Sequence, residues 1–262
     1  MNITTLLDRL PLLAVLIGTA LLALLAMEIG FRLGRSWQRR THVEKEGPVG
    51  ALAGATLGLL AFLLAFVTGM AVQRFDHRRM LVVNEANAIS GAFLNAGFLD
   101  QPARSQARVL LREYVDIRLN AAADLTQISQ TQARSEQIQT ELWTQIEPIA
   151  RANQTPMTAL YVTALSNMMD IHVERADAIR SSHLPNSLWL GLYAIAMLTM
   201  GLVGVQVSYT ERRNWTSLII LVMVFSLVLT LIVDLDRPTQ GIMVISQQAM
   251  LDLQAQMQAV MP

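Results

Sequence analysis

Between Gly47 and Gln73 the chain carries no charged residue. A run of that length exceeds the roughly 20 apolar residues that cross a hydrocarbon core, and only a helix can satisfy a single spanning segment's backbone there. Three more blocks are long and apolar, with Glu28 as their one charged residue: Leu10 to Phe31, Ser187 to Ser208 and Trp215 to Val233. They account for a hydrophobic fraction of 53% and a mean hydropathy of +0.39, too apolar for a water-soluble chain of 262 residues. The expected class is an all-α integral membrane protein with four transmembrane helices at residues 10–31, 48–73, 187–208 and 215–233.

The first block is about twice as long as the apolar core of a signal peptide and no small-residue cleavage site follows it, so it should remain as a helix. Its one acid, Glu28, lies near enough to the helix end to snorkel. Gln73 runs straight into RFDHRR with no turn residue. Helix two should therefore leave the bilayer and continue unbroken to about Phe98, and residues 74–184 read as a helical extramembrane domain between helices two and three. Asp100 and Pro102 mark a helix start, after which Leu110, Leu111, Tyr114 and Val115 share one face, with Arg108, Arg112 and Arg118 around it. A Gln/Thr/Ser-rich stretch from Leu125 to Gln139, with Ser135 expected to be exposed, leads to a short, partly exposed helix that Pro148 should end or kink. Thr155 and Pro156 make a second capped start. The ERRN turn is short enough to make helices three and four antiparallel neighbours. Asp234, Asp236 and Pro238 stop helix four, and residues 239–262 form an amphipathic segment suited either to the membrane surface or to the helical domain.

Several chemistries are excluded. Without cysteine there are no disulfides, thiolate metal sites or cysteine nucleophiles, and zero net charge gives no support to nucleic-acid binding. Asp170, His172 and Glu174 look faintly like a metal or acid–base cluster, but alternate residues of a helix point about 200° apart, so Asp170 and Glu174 share a face that His172 does not, which favours a solvated helix surface. The acids of the helical domain mostly have arginines within a turn, as in weak surface pairing. No nucleophile–base pair, P-loop, dinucleotide fingerprint or zinc-protease helix appears. The chain is expected to be no enzyme and to hold no cofactor or metal.

Orientation is not set by charge. The two short loops hold Arg35, Arg39, Arg40, Lys45, Arg212 and Arg213, and the opposite side holds Arg9, Arg74, Arg78, Arg79, Arg175, Arg180 and Arg237. The positive-inside rule is balanced between them.

Helix two carries a four-residue step: Gly50, Gly54, Gly58, Phe62, Phe66, Met70 and Arg74. Small residues at that spacing suit close helix packing, most directly at Gly50 and Gly54. Phe62 and Phe66 either face lipid or, in a ring of identical subunits, stack as hydrophobic constrictions. Arg74, Arg78 and Arg79 at the helix exit either snorkel to headgroups or make a vestibule that concentrates anions.

The run AFLLAFVTGMAVQRFDHRRMLVVNEANAI resembles the second transmembrane helix of bestrophins, in which a Phe-containing stretch is followed eight residues later by an Arg and aromatics. Phe66 and Arg74-Phe75 carry the match. The order of four spans with a helical domain between the second and third is also similar, and DLDRPTQG resembles the acidic-Pro-Gly turn after that family's last span. As a whole the chain is similar to bacterial bestrophin-like proteins. The resemblance implies a homopentameric channel for small anions such as chloride in the bacterial inner membrane, multi-pass, with both termini and the domain cytoplasmic. It places Phe62, Phe66 and Gly58 on the neck, Gly58 departing from the bulky aliphatic residue usual there. The acidic calcium-binding cluster of the family is absent. The alternative is a membrane-anchored sensory or scaffolding protein whose helical domain binds a partner.

Overall fold

The computed structural model describes residues 7–8, 10–40, 46–123, 128–181, 183–210, 213–237 and 241–259, and all regular structure among them is helical. The helices are α1 (Leu12–Arg40), α2 (Glu46–Asn95, followed by a 3-10 turn at Ala96–Phe98), α3 (Ala103–Ala123), α4 (Ile128–Ala152), α5 (Pro156–Ser181), α6 (Asn186–Ser208), α7 (Trp215–Asp236) and α8 (Gln248–Ala259). Four of them, α1, α2, α6 and α7, are long and apolar enough to cross a membrane. The chain divides into two units, Met1–Phe75 with Ser182–Met243 and Asp76–Ser181 with Val244–Pro262. Arg9, Lys45 and Arg212, which enter the charge count for orientation, lie outside the described residues, as does Pro238.

In the first unit α1 packs along α6 and α7. Gly30 lies against the backbone of Gly201, and Gly204 against that of Met27. A Cβ on Gly30 or Gly204 would run into the opposing carbonyl. Small residues spaced in this way let helices approach where lipid supplies no hydrophobic drive for association. Leu60, Leu64, Val67 and Ala71 of α2 join Trp189 and Leu192 of α6 and Ile232 of α7 in one apolar cluster.

Polar groups close the ends of this unit. Arg32 and Arg213 donate to the two carboxylate oxygens of Glu28 at 2.9 and 2.8 Å. Arg213 also lies over Phe31, 3.4 Å from the ring centroid. Glu28 is therefore clamped by two cations instead of reaching alone to the interface. Asn214 caps α7 through the Ser217 amide, 3.4 Å away. Asp234 and Asp236 do more than stop α7: Asp234 accepts from the amides of Ile242 (2.8 Å) and Met243 (3.2 Å), and Asp236 from that of Leu184 (2.8 Å). Gly241, at φ +156°, holds the turn close over Asp234, where a Cβ would strike the carboxylate.

Two helices run longer than their sequence suggests. The segment RLGRSWQRR stays helical, so α1 reaches Arg40 instead of ending at Phe31. α4 is a 25-residue helix with Pro148 inside it, neither short nor ended by the proline. A proline near the C-terminus removes one backbone bond, and the face of α4 formed by Ser135, Ile138, Leu142 and Ile146 is buried along its length. Ser135 is thus fully buried, contrary to its expected exposure, and its hydroxyl donates to the Thr131 carbonyl at 2.8 Å.

In the second unit, Ile89 and Phe93 of α2 pack with Leu111, Tyr114 and Val115 of α3, Leu142 of α4, and Leu165 and Met168 of α5. Met250, Leu253 and Met257 of α8 are buried in the same cluster, so the C-terminal helix lies on this core. Thr155 caps α5, its hydroxyl oxygen accepting from the Thr158 amide at 3.2 Å. Arg108 and Arg112 stack on Phe93, 5.1 and 5.4 Å from its centroid, and Arg112 also donates to the Met257 carbonyl at 3.1 Å.

Candidate functional site

α2 has two faces. Ala53, Leu60, Leu64, Val67 and Ala71 are buried, while Ala51, Ala55, Gly58, Phe62, Phe66 and Gly69 lie exposed on the other side. Phe62 and Phe66 are 67% and 60% exposed, as are other large side chains of the apolar helices such as Leu13 at 67% and Leu198 at 75%. Of the glycines on this helix expected to serve packing, Gly50 meets Gln206 of α6, where a Cβ would lie 3.3 Å from the amide nitrogen. Gly54 and Gly58 would meet nothing within 4 Å. The tight glycine contacts occur instead at Gly30, Gly34 and Gly204, and the spacing in GFRLG and GLVG was the sequence signal for them.

The helix passes through residues 73–79 without a turn. Its exposed face continues at Gln73, Asp76, His77, Met80 and Asn84. At about 100° per residue, Arg74 sits about 120° from Phe62 and about 80° from Phe66, and Arg78 about 160° and 120°. Arg74 donates to the His183 carbonyl at 2.7 Å, and Arg78 is only 4% exposed. Arg79 is exposed, on the flank of that face. The three arginines are thus not brought together on the aromatic face.

A second constellation matches no sequence motif. Glu85 of α2 is fully buried and receives Arg175 of α5 in a short ion pair. Arg118 of α3 completes the cluster, with Nε 2.9 Å from Oε1 and Nη2 donating to Oε2 at 3.3 Å. Tyr114 donates to Glu85 Oε1 at 3.0 Å, and its hydroxyl also lies 2.8 Å from Nδ1 of the buried His172. Burial alone would raise the Glu85 pKa, but Arg118 and Arg175 more than reverse this and hold it below the usual carboxylate range. Burial, helped by Arg118 and Arg175, pushes His172 below the usual imidazole value despite the opposing pull of Glu85 and Glu136. Glu85 is therefore ionised and His172 neutral at pH 7. Asp170 and Glu174 lie on the exposed side of α5 and His172 is buried on the other, as their spacing implies. Arg118 and Arg175, too, are partners of a buried carboxylate and not surface charges. The acid in the small-residue run NEANAIS was the available hint.

Among the described residues no group of three or more His, Asp or Glu side chains is placed to hold a metal. A surface groove of about 440 Å³ runs along α1 past Glu28, Phe31, Arg32, Arg35, Ser36 and Arg39 and is open to the surface.

A family model described as a bestrophin-like domain matches residues 12–250. The chain belongs to the bestrophin-like family. That match takes in all four apolar helices and most of the second unit, so the likeness first visible around Phe66 and Arg74 extends over nearly the whole chain. Bestrophins are in general anion channels and not enzymes. No curated protein and no solved structure matches the chain.

Proposed function

We propose that this bestrophin-like protein is a homopentameric channel for small anions such as chloride, with the exposed face of α2 around the axis and Phe62 and Phe66, with Gly58, forming its neck. The observation that carries this reading is the exposure of two phenylalanines, one helical turn apart, on the face of α2 opposite to the buried one. In a ring of subunits those side chains would converge on the axis, where no polar group replaces an ion's hydration shell, so weakly hydrated anions should pass most easily. Arg74, Arg78 and Arg79 add positive potential around the exit from beside and behind the lining face. The second unit is the extramembrane domain, on the cytoplasmic side of a bacterial inner membrane. Current through reconstituted bilayers tests the reading. Phe62→Ala with Phe66→Ala should raise single-channel conductance with the oligomer intact. Silence from both wild type and double variant, in a preserved oligomer, would sink the channel and leave a membrane-anchored scaffold whose helical domain binds a partner.

A further inference from the structure

Beyond Phe66 the exposed face of α2 presents Gln73, Asp76, His77, Met80 and Asn84, with the exposed Arg79 on its flank. Asp76 lies about 40° from Phe62 and about 80° from Phe66 around the helix axis at about 100° per residue, against about 120° and 80° for Arg74 and about 100° and 140° for Arg79. Arg74 is committed to the His183 carbonyl and Arg78 is buried. A second carboxylate stands beside this stretch: His77 Nε2 is 3.9 Å from Oε1 of the exposed Glu174 on α5, with both side chains more than half exposed.

We propose that Asp76, not the arginine cluster, is the specificity-determining charge beside the permeating ion, and that it holds anion-over-cation preference down. The inference rests on the pore reading of α2. A carboxylate repeated around an axis attracts cations and repels anions, whereas a guanidinium turned away from the lining or buried acts through more protein and is weakened by its partners. Asp76 is a charge that the pathway itself would display, and Glu174 reinforces its sign. The protein would then pass anions with only weak discrimination, the neck excluding by hydration and Asp76 offsetting the positive potential that the arginines add around the exit.

The experiment is the reversal potential of purified full-length protein in planar bilayers under a KCl gradient. With Asp76→Asn the chloride-to-potassium permeability ratio should rise by about threefold or more, since one unit charge about 6 Å from an ion in water changes its energy by roughly RT. Asp76→Lys, on an exposed position where folding is not at stake, should move the ratio further in the same direction, and Glu174→Gln should move it less. Wild-type current with a reversal potential unmoved by both Asp76 variants overturns this inference while leaving the channel standing. A silent wild type in an intact oligomer overturns the channel reading, and this inference falls with it.

Discussion

In the first unit α1 and α6 meet backbone to backbone at Gly30, Gly201 and Gly204, whereas in the second unit α2, α3 and α5 meet through one carboxylate and two guanidiniums around Glu85. In the proposed arrangement, with lipid around the first unit and water around the second, the difference follows from the solvent each helix set must exclude. Apolar side chains gain little by leaving lipid for protein, so the membrane helices associate through close van der Waals contact, and glycine is the residue that permits it. The second unit has ordinary apolar burial to drive it, in the cluster that joins Phe93, Leu111, Leu165 and Leu253. Its ion cluster adds direction, because a buried carboxylate accepts few arrangements of its partners.

The largest expected effect is at the ion cluster. Glu85→Gln keeps the shape but leaves Arg118 and Arg175 buried against a neutral amide, which should cost about 3–5 kcal/mol. Thermal unfolding followed by circular dichroism, with hydrogen exchange in α3 and α5, would measure it. An unchanged midpoint would mean that apolar burial alone holds the second unit, and the contrast between the units would disappear. Next is Gly204→Val, whose side chain meets the Met27 carbonyl and forces α1 and α6 apart, for about 1–3 kcal/mol. Its loss should appear in the unfolding of detergent-solubilised protein, with exchange in α3 and α5 unaltered; protection lost equally in both units would contradict separate modes of cohesion.

The smallest effect sharpens the same contrast through pH. His172 is neutral in the fold with its pKa below the ordinary value, while in the unfolded chain it takes up a proton near pH 6.5. The unfolded state therefore binds more protons as pH falls below about 6.5, and the stability of the second unit should decline there. His172→Asn, which keeps a polar atom near the Tyr114 hydroxyl, should flatten that decline without a comparable change in α1 or α6. A slope identical in wild type and variant would assign the pH dependence elsewhere.

The four apolar helices, the absence of any turn where α2 passes Gln73, and the cap at Thr155 were legible in the amino-acid order, because each depends on residues near one another in the chain: uninterrupted apolar length, missing turn residues, a hydroxyl three positions before an amide. That order also held the family likeness around Phe66 and Arg74. Which charges are buried was decided only by tertiary structure. Glu85 meets Arg118 and Arg175 from two other helices, and the cost of burying a carboxylate depends on partners that no local pattern names. The same holds for Ser135 and His172, polar residues whose helix faces turn inward, and for Arg74 and Arg78, whose place beside Phe62 and Phe66 in the chain does not carry them to the same side of the helix. Periodicity shows which residues share a face; only packing decides which face is covered.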